Sequence, residues 1–533
     1  MKKRLLITVL LVWGLAAHGQ IIDLSGKWSF ETDSEDRGIT EQWQYRSLKD
    51  SIALPGAMHI QGKGNEVTAD TKWYSGALSA IWYTHPMYAK YREKGNVKIF
   101  DFLQPDSYYV GPAWYSREIM VPGDFKNKHI VLVLERVHWE SILFINGKKV
   151  GNNLGLGTKH EYDVTDYLLP GKNNITLRIN NAKVIDTGRI PHSTSDQTMA
   201  AWNGIIGEMK ITARERVWID EVQVFPQIGN RKALAKLKLG NKTGRVQKMK
   251  IKATLDCYNT SHPYSEKPLN ENFTIGPDEF SEVELELPFS EKMQLWDEFS
   301  PSLYKLTLAL HSGKLKDETS VSFGMREVGV QDKRITLNGD KRWIRANLYC
   351  GEAPLDGLPS VDVEWWKRIL LKHKEYGHNA VRFHSWCPPK AAFVAADEIG
   401  VYLQPEVGEW GAVYTDKQER FINEEAERMI RQYGNFASFI FMAMGNESSA
   451  DTLRMHRFIV KQKADGRRLV SGKMNGRPDL PEADFYATHS IEGKNMRHHV
   501  GWPPTSQNNL LFHIKPGTSY DYNEAMSQYD KPF

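Results

Sequence analysis

From Ile21 to about Phe225 the apolar residues come in short alternating runs separated by turn residues. Trp114–Val121, His129–Glu135, Ser141–Ile145 and Asn174–Ile179 are rich in aromatic and β-branched side chains, which suit a pleated, half-buried surface. Asn146-Gly147 stands between Phe144-Ile145 and Lys148-Lys149-Val150. A two-residue hairpin loop needs positive φ at both central positions, and Asn and Gly tolerate it. Regular short strands predict a jelly-roll β-sandwich over residues 20–226. The runs Lys250–Tyr258, Phe280–Leu287 and Leu303–Leu310 predict a second, immunoglobulin-like β-sandwich over residues 227–328.

After Arg326 the period changes, and strand-like runs alternate with amphipathic helices. Trp343–Tyr349 precedes Val363–Tyr376, Ala380–His384 precedes Ala391–Ile399, and Val401–Pro405 precedes Gln418–Tyr433. Ser438–Met444 then precedes Ala450–Lys463, and Leu469–Lys473 and Asp484–His489 follow. Such alternation predicts a parallel sheet with both faces covered, and this many repeats favours a (β/α)8 TIM-type barrel over a doubly wound sheet. Six strands are counted in residues 329–533, with a seventh beginning at Lys531-Pro532-Phe533. An eightfold barrel takes ~250 residues, so the barrel is expected to be incomplete at the C-terminus.

Ser438–Met444 (SFIFMAM) is almost uninterrupted apolar, as a strand buried on both faces requires. It leads into Gly445-Asn446-Glu447, and Ser448-Ser449 read as the N-cap of a helix from Ala450. Glu447 is thus expected at the carboxyl end of a strand, the rim on which these barrels assemble active sites. Phe441, Met442 and Met444 beside it disfavour the charged carboxylate. A carboxyl group kept protonated near neutrality is what a general acid needs to donate to a departing glycosidic oxygen. The competing reading makes Glu447 a cap for the next helix.

Other strand ends bring polar groups to the same rim. Arg382 and His384 share a face of their strand, with Trp386 just beyond; Val401–Trp410 offers Glu406, Glu409 and Trp410; Asp484–Ser490 offers Tyr486 and His489. Each alone reads more readily as a satisfied structural group. Together they suit a sugar, whose hydroxyls take carboxylates and donors while its C–H face stacks on an aromatic ring. Gly151–Gly157 follows a hairpin and does not open a helix, so it reads as a loop and not as a dinucleotide site. His498-His499 has no carboxylate at ligand spacing, and no metal or other cofactor is expected.

The 533 residues are 41% apolar and 25% charged, a globular composition that implies three or four domains. The net charge is +4, and it falls to +1 once Lys2, Lys3 and Arg4 are set aside, which argues against nucleic acid as a partner. Those three residues open a leader, residues 1–19, in which an apolar run from Leu5 to Ala17 is followed by a small-residue cleavage pattern. The run is shorter than the ~20 residues needed to span a bilayer, so a signal peptide and a periplasmic or secreted bacterial protein are expected. Cys257, Cys350 and Cys387 are odd in number and far apart, so they read as buried small apolar residues.

The order of these parts resembles glycoside hydrolase family 2, the β-galactosidase, β-glucuronidase and β-mannosidase group. The resemblance rests on Trp114-Tyr115-Ser116-Arg117, Phe144-Ile145-Asn146-Gly147, Asp163-Val164-Thr165 and Gly204-Ile205-Ile206-Gly207 in the first domain. In the second it rests on Pro301-Ser302-Leu303-Tyr304 and Phe323-Gly324-Met325-Arg326. In the third it rests on Leu337-Asn338-Gly339, Asn379-Ala380-Val381-Arg382-Phe383-His384, Gly445-Asn446-Glu447 and Asp465-Gly466-Arg467-Arg468-Leu469. It implies a retaining glycosidase with Glu447 as acid/base, Asn446 on the sugar 2-hydroxyl, and Arg382 and His384 shaping the subsite. Glu406 matches a carboxylate that binds metal in some members, although Gln404-Pro405-Glu406-Val407-Gly408 departs from that pattern.

The family's nucleophile is a Glu a few residues after a segment like Asp530-Lys531-Pro532-Phe533, so it is expected beyond Phe533, and neither Glu409 nor Glu524 matches its context. The leading expectation is hydrolysis of terminal β-linked sugars from an oligosaccharide or polysaccharide. The alternative is a non-catalytic carbohydrate-binding protein.

Overall fold

The computed structural model describes residues 20–472 apart from 75–81, 83, 99–104, 106, 189, 197, 412 and 449, together with 480–487 and 531–532. The leader, His489 and His498-His499 lie outside the described residues. Two sheets form the first sandwich. One runs in the order Gln20–Asp23, Met209–Arg214, His129–Leu134, His160–Asp163. The other runs Lys148–Leu154, Glu140–Ile145, Gly171–Asn180, Pro112–Val121, Gly26–Thr32, Asp50–Leu54. Alternate residues point inward, so Leu143, Ile145, Ile175, Leu177 and Ile179 are sealed between the sheets with Trp28 and Tyr115. Asn146 and Gly147 have φ of 51° and 80°, the backbone expected of their two-residue hairpin loop.

Val217–Gln227 pairs along its length with Lys232–Asn241. That strand therefore opens the second sandwich, about ten residues before the expected boundary at 226. Its alternation alone cannot say which neighbour it pairs with. A three-stranded sheet with Phe280–Pro288 faces a second sheet built on Gln247–Tyr258, Leu303–Ser312 and Leu315–Phe323.

The third region is a parallel sheet of β1 (Ala346–Tyr349), β2 (Ala380–Phe383), β3 (Tyr402–Trp410), β4 (Phe441–Asn446) and β5 (Leu469–Ser471), in sequential order. The crossovers are α1 (Val363–Glu375), α2 (Lys390–Ile399), α3 (Asp416–Tyr433) and α4 (Thr452–Lys463). α3 begins with a capping box in which Thr415 and Gln418 satisfy each other's backbone N–H groups. α4 is capped by Asp451, which accepts from the Arg454 N–H at 2.8 Å, so the expected start at Ser448-Ser449 is corrected by a few residues. The expected sixth strand at Asp484–His489 is not a strand over its described residues. Asp484 instead bonds Val470 of β5 through both its backbone and its carboxylate. Five strands in sequence with helical crossovers agree with a β/α architecture; closure into a barrel is not seen among the described residues. No helix among them is long and apolar enough to cross a membrane.

The two sandwiches grip opposite ends of this sheet. Trp296 of the second donates to the Asp397 carbonyl at 2.9 Å, and buried Arg326 donates to the carbonyls of Ala437, Phe439 and Arg467 at the amino ends of β4 and β5. The first sandwich meets α3 through Gly151–Gly157. Fully buried Glu425 accepts from the N–H groups of Leu156 at 3.1 Å and Gly157 at 2.7 Å. A charged group without a partner there is costly, and Arg428 at 2.6 Å completes the set. Trp139 meets Phe421 edge-on, so one apolar cluster runs through both regions.

Candidate active site

At the carboxyl ends of β2, β3 and β4 a chain of polar contacts crosses three strands. Arg382 donates through Nε to Glu406 at 2.6 Å and through Nη2 to the Asn446 carbonyl oxygen at 2.8 Å. Glu406 is fully buried, and its second oxygen accepts from the Ser385 N–H at 2.5 Å. Burial pushes the Glu406 carboxyl up, while Arg382 and the Ser385 N–H oppose the shift. The pair is a buried ion pair whose value lies in fixing geometry more than in net stability. With its oxygen taken by Arg382, the Asn446 amide is oriented so that its nitrogen is the donor end.

Glu447 follows directly, and it is solvent-exposed. Its carboxylate accepts from the Trp410 indole N–H at 2.9 Å. The expected apolar surroundings are therefore corrected: Met442 and Met444 are buried in the sheet, and the carboxylate stands above them at the rim. The backbone explains the difference. Glu447 has φ 46° and Ser385 has φ 53°, left-handed positions at the ends of neighbouring elements. Such positions cost ~1–3 kcal/mol in a non-glycine residue and persist only where the surroundings over-determine them. Glu447 does not cap α4, because Asp451 does.

The rim has a wall that local sequence did not announce. The first-sandwich segment 187–203 crosses the ends of β2 and β3 in a set of direct bonds. Trp410 N–H donates to the Thr187 carbonyl at 2.9 Å, Ser193 Oγ to the Gly408 carbonyl at 3.0 Å, and His192 N–H to Ser385 Oγ at 2.9 Å. Close approach is possible because a Cβ on Gly188 would lie 2.0 Å from the Trp410 carbonyl oxygen, and one on Gly408 2.7 Å from Ser193 Oγ. Both glycines have positive φ. His192 and His384 pack edge-on, with ring centroids 5.0 Å apart, and His384 lies 4.4 Å from Trp410.

The structure thus brings Arg382, His384, Glu406, Asn446, Glu447 and Trp410 together. Trp386 is corrected as a stacking platform: it is 2% exposed, packs on Phe383 and Tyr349, and donates to the Tyr349 carbonyl at 3.1 Å. The strand ends at Phe383, so its alternation no longer places Trp386, and an indole of that size is taken by the core. Tyr486 is buried beyond β5 with its N–H on the Pro532 carbonyl, and His489 is outside the described residues. His192 lies in a segment without periodicity, so the sequence gives no local signal for it. Cys350, expected as a buried apolar residue, is half-buried and faces His192 and His384.

Comparison with known proteins bears on this arrangement. Residues 21–211 match the family described as glycosyl hydrolases family 2, sugar binding domain, and residues 217–326 match glycosyl hydrolases family 2. A β-galactosidase of Priestia megaterium is 22% identical over 520 residues, covering 90% of this chain and 48% of that protein. A β-glucuronidase of Paenibacillus borealis is 20% identical over 347 residues, covering 61% and 48%. The crystal structure of a Bacteroides uniformis β-glucuronidase aligns with a TM-score of 0.65 at 18% identity, covering 85% of this chain and 52% of that one. The chain spans about half the length of these relatives.

Proposed function

The chain belongs to glycosyl hydrolases family 2, and from that premise we propose that it removes terminal β-linked sugars from a glycan, with Glu447 as the acid/base. The observation that carries this reading is an exposed carboxylate at the end of β4, held by an indole N–H, beside an Arg382–Asn446 pair. In its protonated form Glu447 donates to the departing glycosidic oxygen, and as a carboxylate it takes the proton of the incoming water. Asn446, oriented by Arg382, donates to the sugar 2-hydroxyl, a bond that strengthens as the ring acquires oxocarbenium character. His384 and Trp410 wall the sugar subsite. The five parallel strands are read as part of a (β/α)8 barrel, and the leader as an export signal for a periplasmic or secreted protein.

A retaining reaction needs a second carboxylate ~5–5.5 Å from the acid. Neither Glu406 nor Glu409, both fully buried, is assigned that role, because Glu406 is committed to Arg382 and Ser385. The test uses protein from the complete reading frame on aryl β-galactosides, β-glucuronides and β-mannosides. Glu447→Gln is expected to lower turnover by ~10²–10⁴, with the smallest loss for the most acidic phenol, which needs least help to leave. Equal rates in both proteins would remove Glu447 from the chemistry. Glycan binding without hydrolysis in either would favour the carbohydrate-binding reading.

A further inference from the structure

His192, Cys350 and His384 come from three separate places: the first-sandwich segment over the rim, the residue after β1, and the residue after β2. One nitrogen of each ring and the thiol sulfur all lie within 4.8 Å of one another. The two histidines are 6% and 5% exposed, so this is an enclosed cluster and not a surface coincidence. We propose that these three side chains form a zinc site that pins segment 187–203 to the carboxyl ends of the sheet.

The donor set argues for the metal. Two imidazoles and a thiolate suit Zn²⁺ in a tetrahedral site with one position left for water. Bond lengths of ~2.0–2.1 Å to nitrogen and ~2.3 Å to sulfur place tetrahedral donors about 3.3–3.8 Å apart. The side chains therefore need to close only modestly. Both rings here meet a hydroxyl through Nδ1, so binding a metal through Nε2 would keep those contacts as the supporting hydrogen bonds that ligating imidazoles use. Thr198 Oγ1 is 3.0 Å from His192, and Ser385 Oγ is 3.2 Å from His384. Thr198 also donates its one proton to the Cys350 carbonyl, so it accepts from His192 and fixes that ring's tautomer.

Charge is consistent with a cation. Zinc binding displaces the thiol proton to solvent, leaving Zn²⁺ on a thiolate and two neutral rings. Glu352, whose carboxylate accepts from the Cys350 N–H at 2.9 Å, supplies nearby negative charge. Arg382, the cation that acts on His192 and Cys350, is already paired with Glu406. Through His384 the site touches Trp410, and so the residue that holds Glu447.

The test is made on the untagged full chain, stripped with a chelator and dialysed against zinc or cobalt. One zinc per chain is expected by elemental analysis, and the cobalt form should show a thiolate-to-metal charge-transfer band in the near ultraviolet. Cys350→Ser is expected to abolish that band and weaken zinc by more than ~100-fold, and Thr198→Val to weaken it by ~10–100-fold. In the unaltered chain zinc should protect Cys350 from alkylation, with buried Cys257 and Cys387 as references. Folded protein without stoichiometric zinc, a band that survives Cys350→Ser, or alkylation of Cys350 at an unchanged rate would overturn the proposal. The alkylation arm decides even if the variants do not fold. None of these readouts uses hydrolysis, so their failure leaves the proposed function standing.

Discussion

The two ends of the parallel sheet are built from the same residue types and put them to different use. At the amino end the buried charges Arg326, Asp397 and Asp465 are each closed off by partners. Arg326 spends its guanidinium on three carbonyls, and Asp465 is held at about 2 because Arg468 and Arg467 outweigh the upward push of burial. Asp397 accepts from the N–H groups of Ala437 and Ser438 at 3.0 and 2.8 Å. The second sandwich covers that end. At the carboxyl end, Arg382 links Glu406 to Asn446 in a network of its own, but it terminates beside a carboxylate that remains exposed. Burying charge builds a joint in one place and a positioned, exposed carboxylate in the other, and what differs is whether a neighbour covers the last member.

Substitutions at matched positions test that contrast. The largest effect is expected for Arg382→Met, which strands fully buried Glu406 and should cost ~3–5 kcal/mol in urea unfolding. Adding Glu406→Gln should recover part of that loss without restoring turnover, since Asn446 still lacks its orienting bond. A double variant as unstable as the single one would mean that the pair does not act as a unit. Arg326→Met at the other end leaves three buried carbonyls unpaired and should cost about 3 kcal/mol. Its remaining folded fraction should keep the catalytic constants of the unaltered protein. A change in those constants would show that the ends are coupled.

Acid should loosen the first sandwich, whereas at the amino-end joint burial pushes Asp397 up to about 7, so the folded chain takes up that proton first and gains stability as the pH falls. Burial holds His138 and His160 to about 4, against the ordinary 6.5. The unfolded chain therefore takes up protons first as the pH falls. Their contribution is whole above about pH 6.5 and is lost progressively down to about 4, amounting to ~2 kcal/mol each at pH 5. Asp465, at about 2, keeps its contribution through that window. Urea midpoints at pH 7.5 and 5 should report the balance of the two, and His160→Gln should lose less stability between them than the unaltered chain. The smallest effect is expected for Gly408→Ala. A strained φ and a contact with the Ser193 side chain, which can turn aside, should cost ~1–2 kcal/mol and loosen the rim wall, read as faster amide exchange at His192 and Ser193.

Much of this was legible in the chain because it is local. The Asn146-Gly147 loop, the helices behind Val363 and Lys390, and the strand ending at Asn446 follow from period and turn chemistry within a few residues. The rim residues Arg382, Glu406 and Asn446 were also legible, since each lies at the end of an apolar run. Trp386 and Cys350 were not, because whether a large indole joins the core or a thiol faces two imidazoles depends on neighbours far away in sequence. The strand from Val217 was assigned to the wrong sandwich for a related reason: alternation marks a strand without naming its partner.

By itself the sequence determined the succession of β-sandwich, β-sandwich and α/β sheet, and it placed a glutamate at the end of the fourth parallel strand. Only the tertiary structure decided that this glutamate stands exposed against Trp410, that Arg382 aims Asn446, and that a segment of the first sandwich walls the rim with His192. The reason is the range of the forces involved. Periodicity and backbone preference act over a handful of residues, whereas burial and charge pairing are set by whichever distant segments the fold packs together.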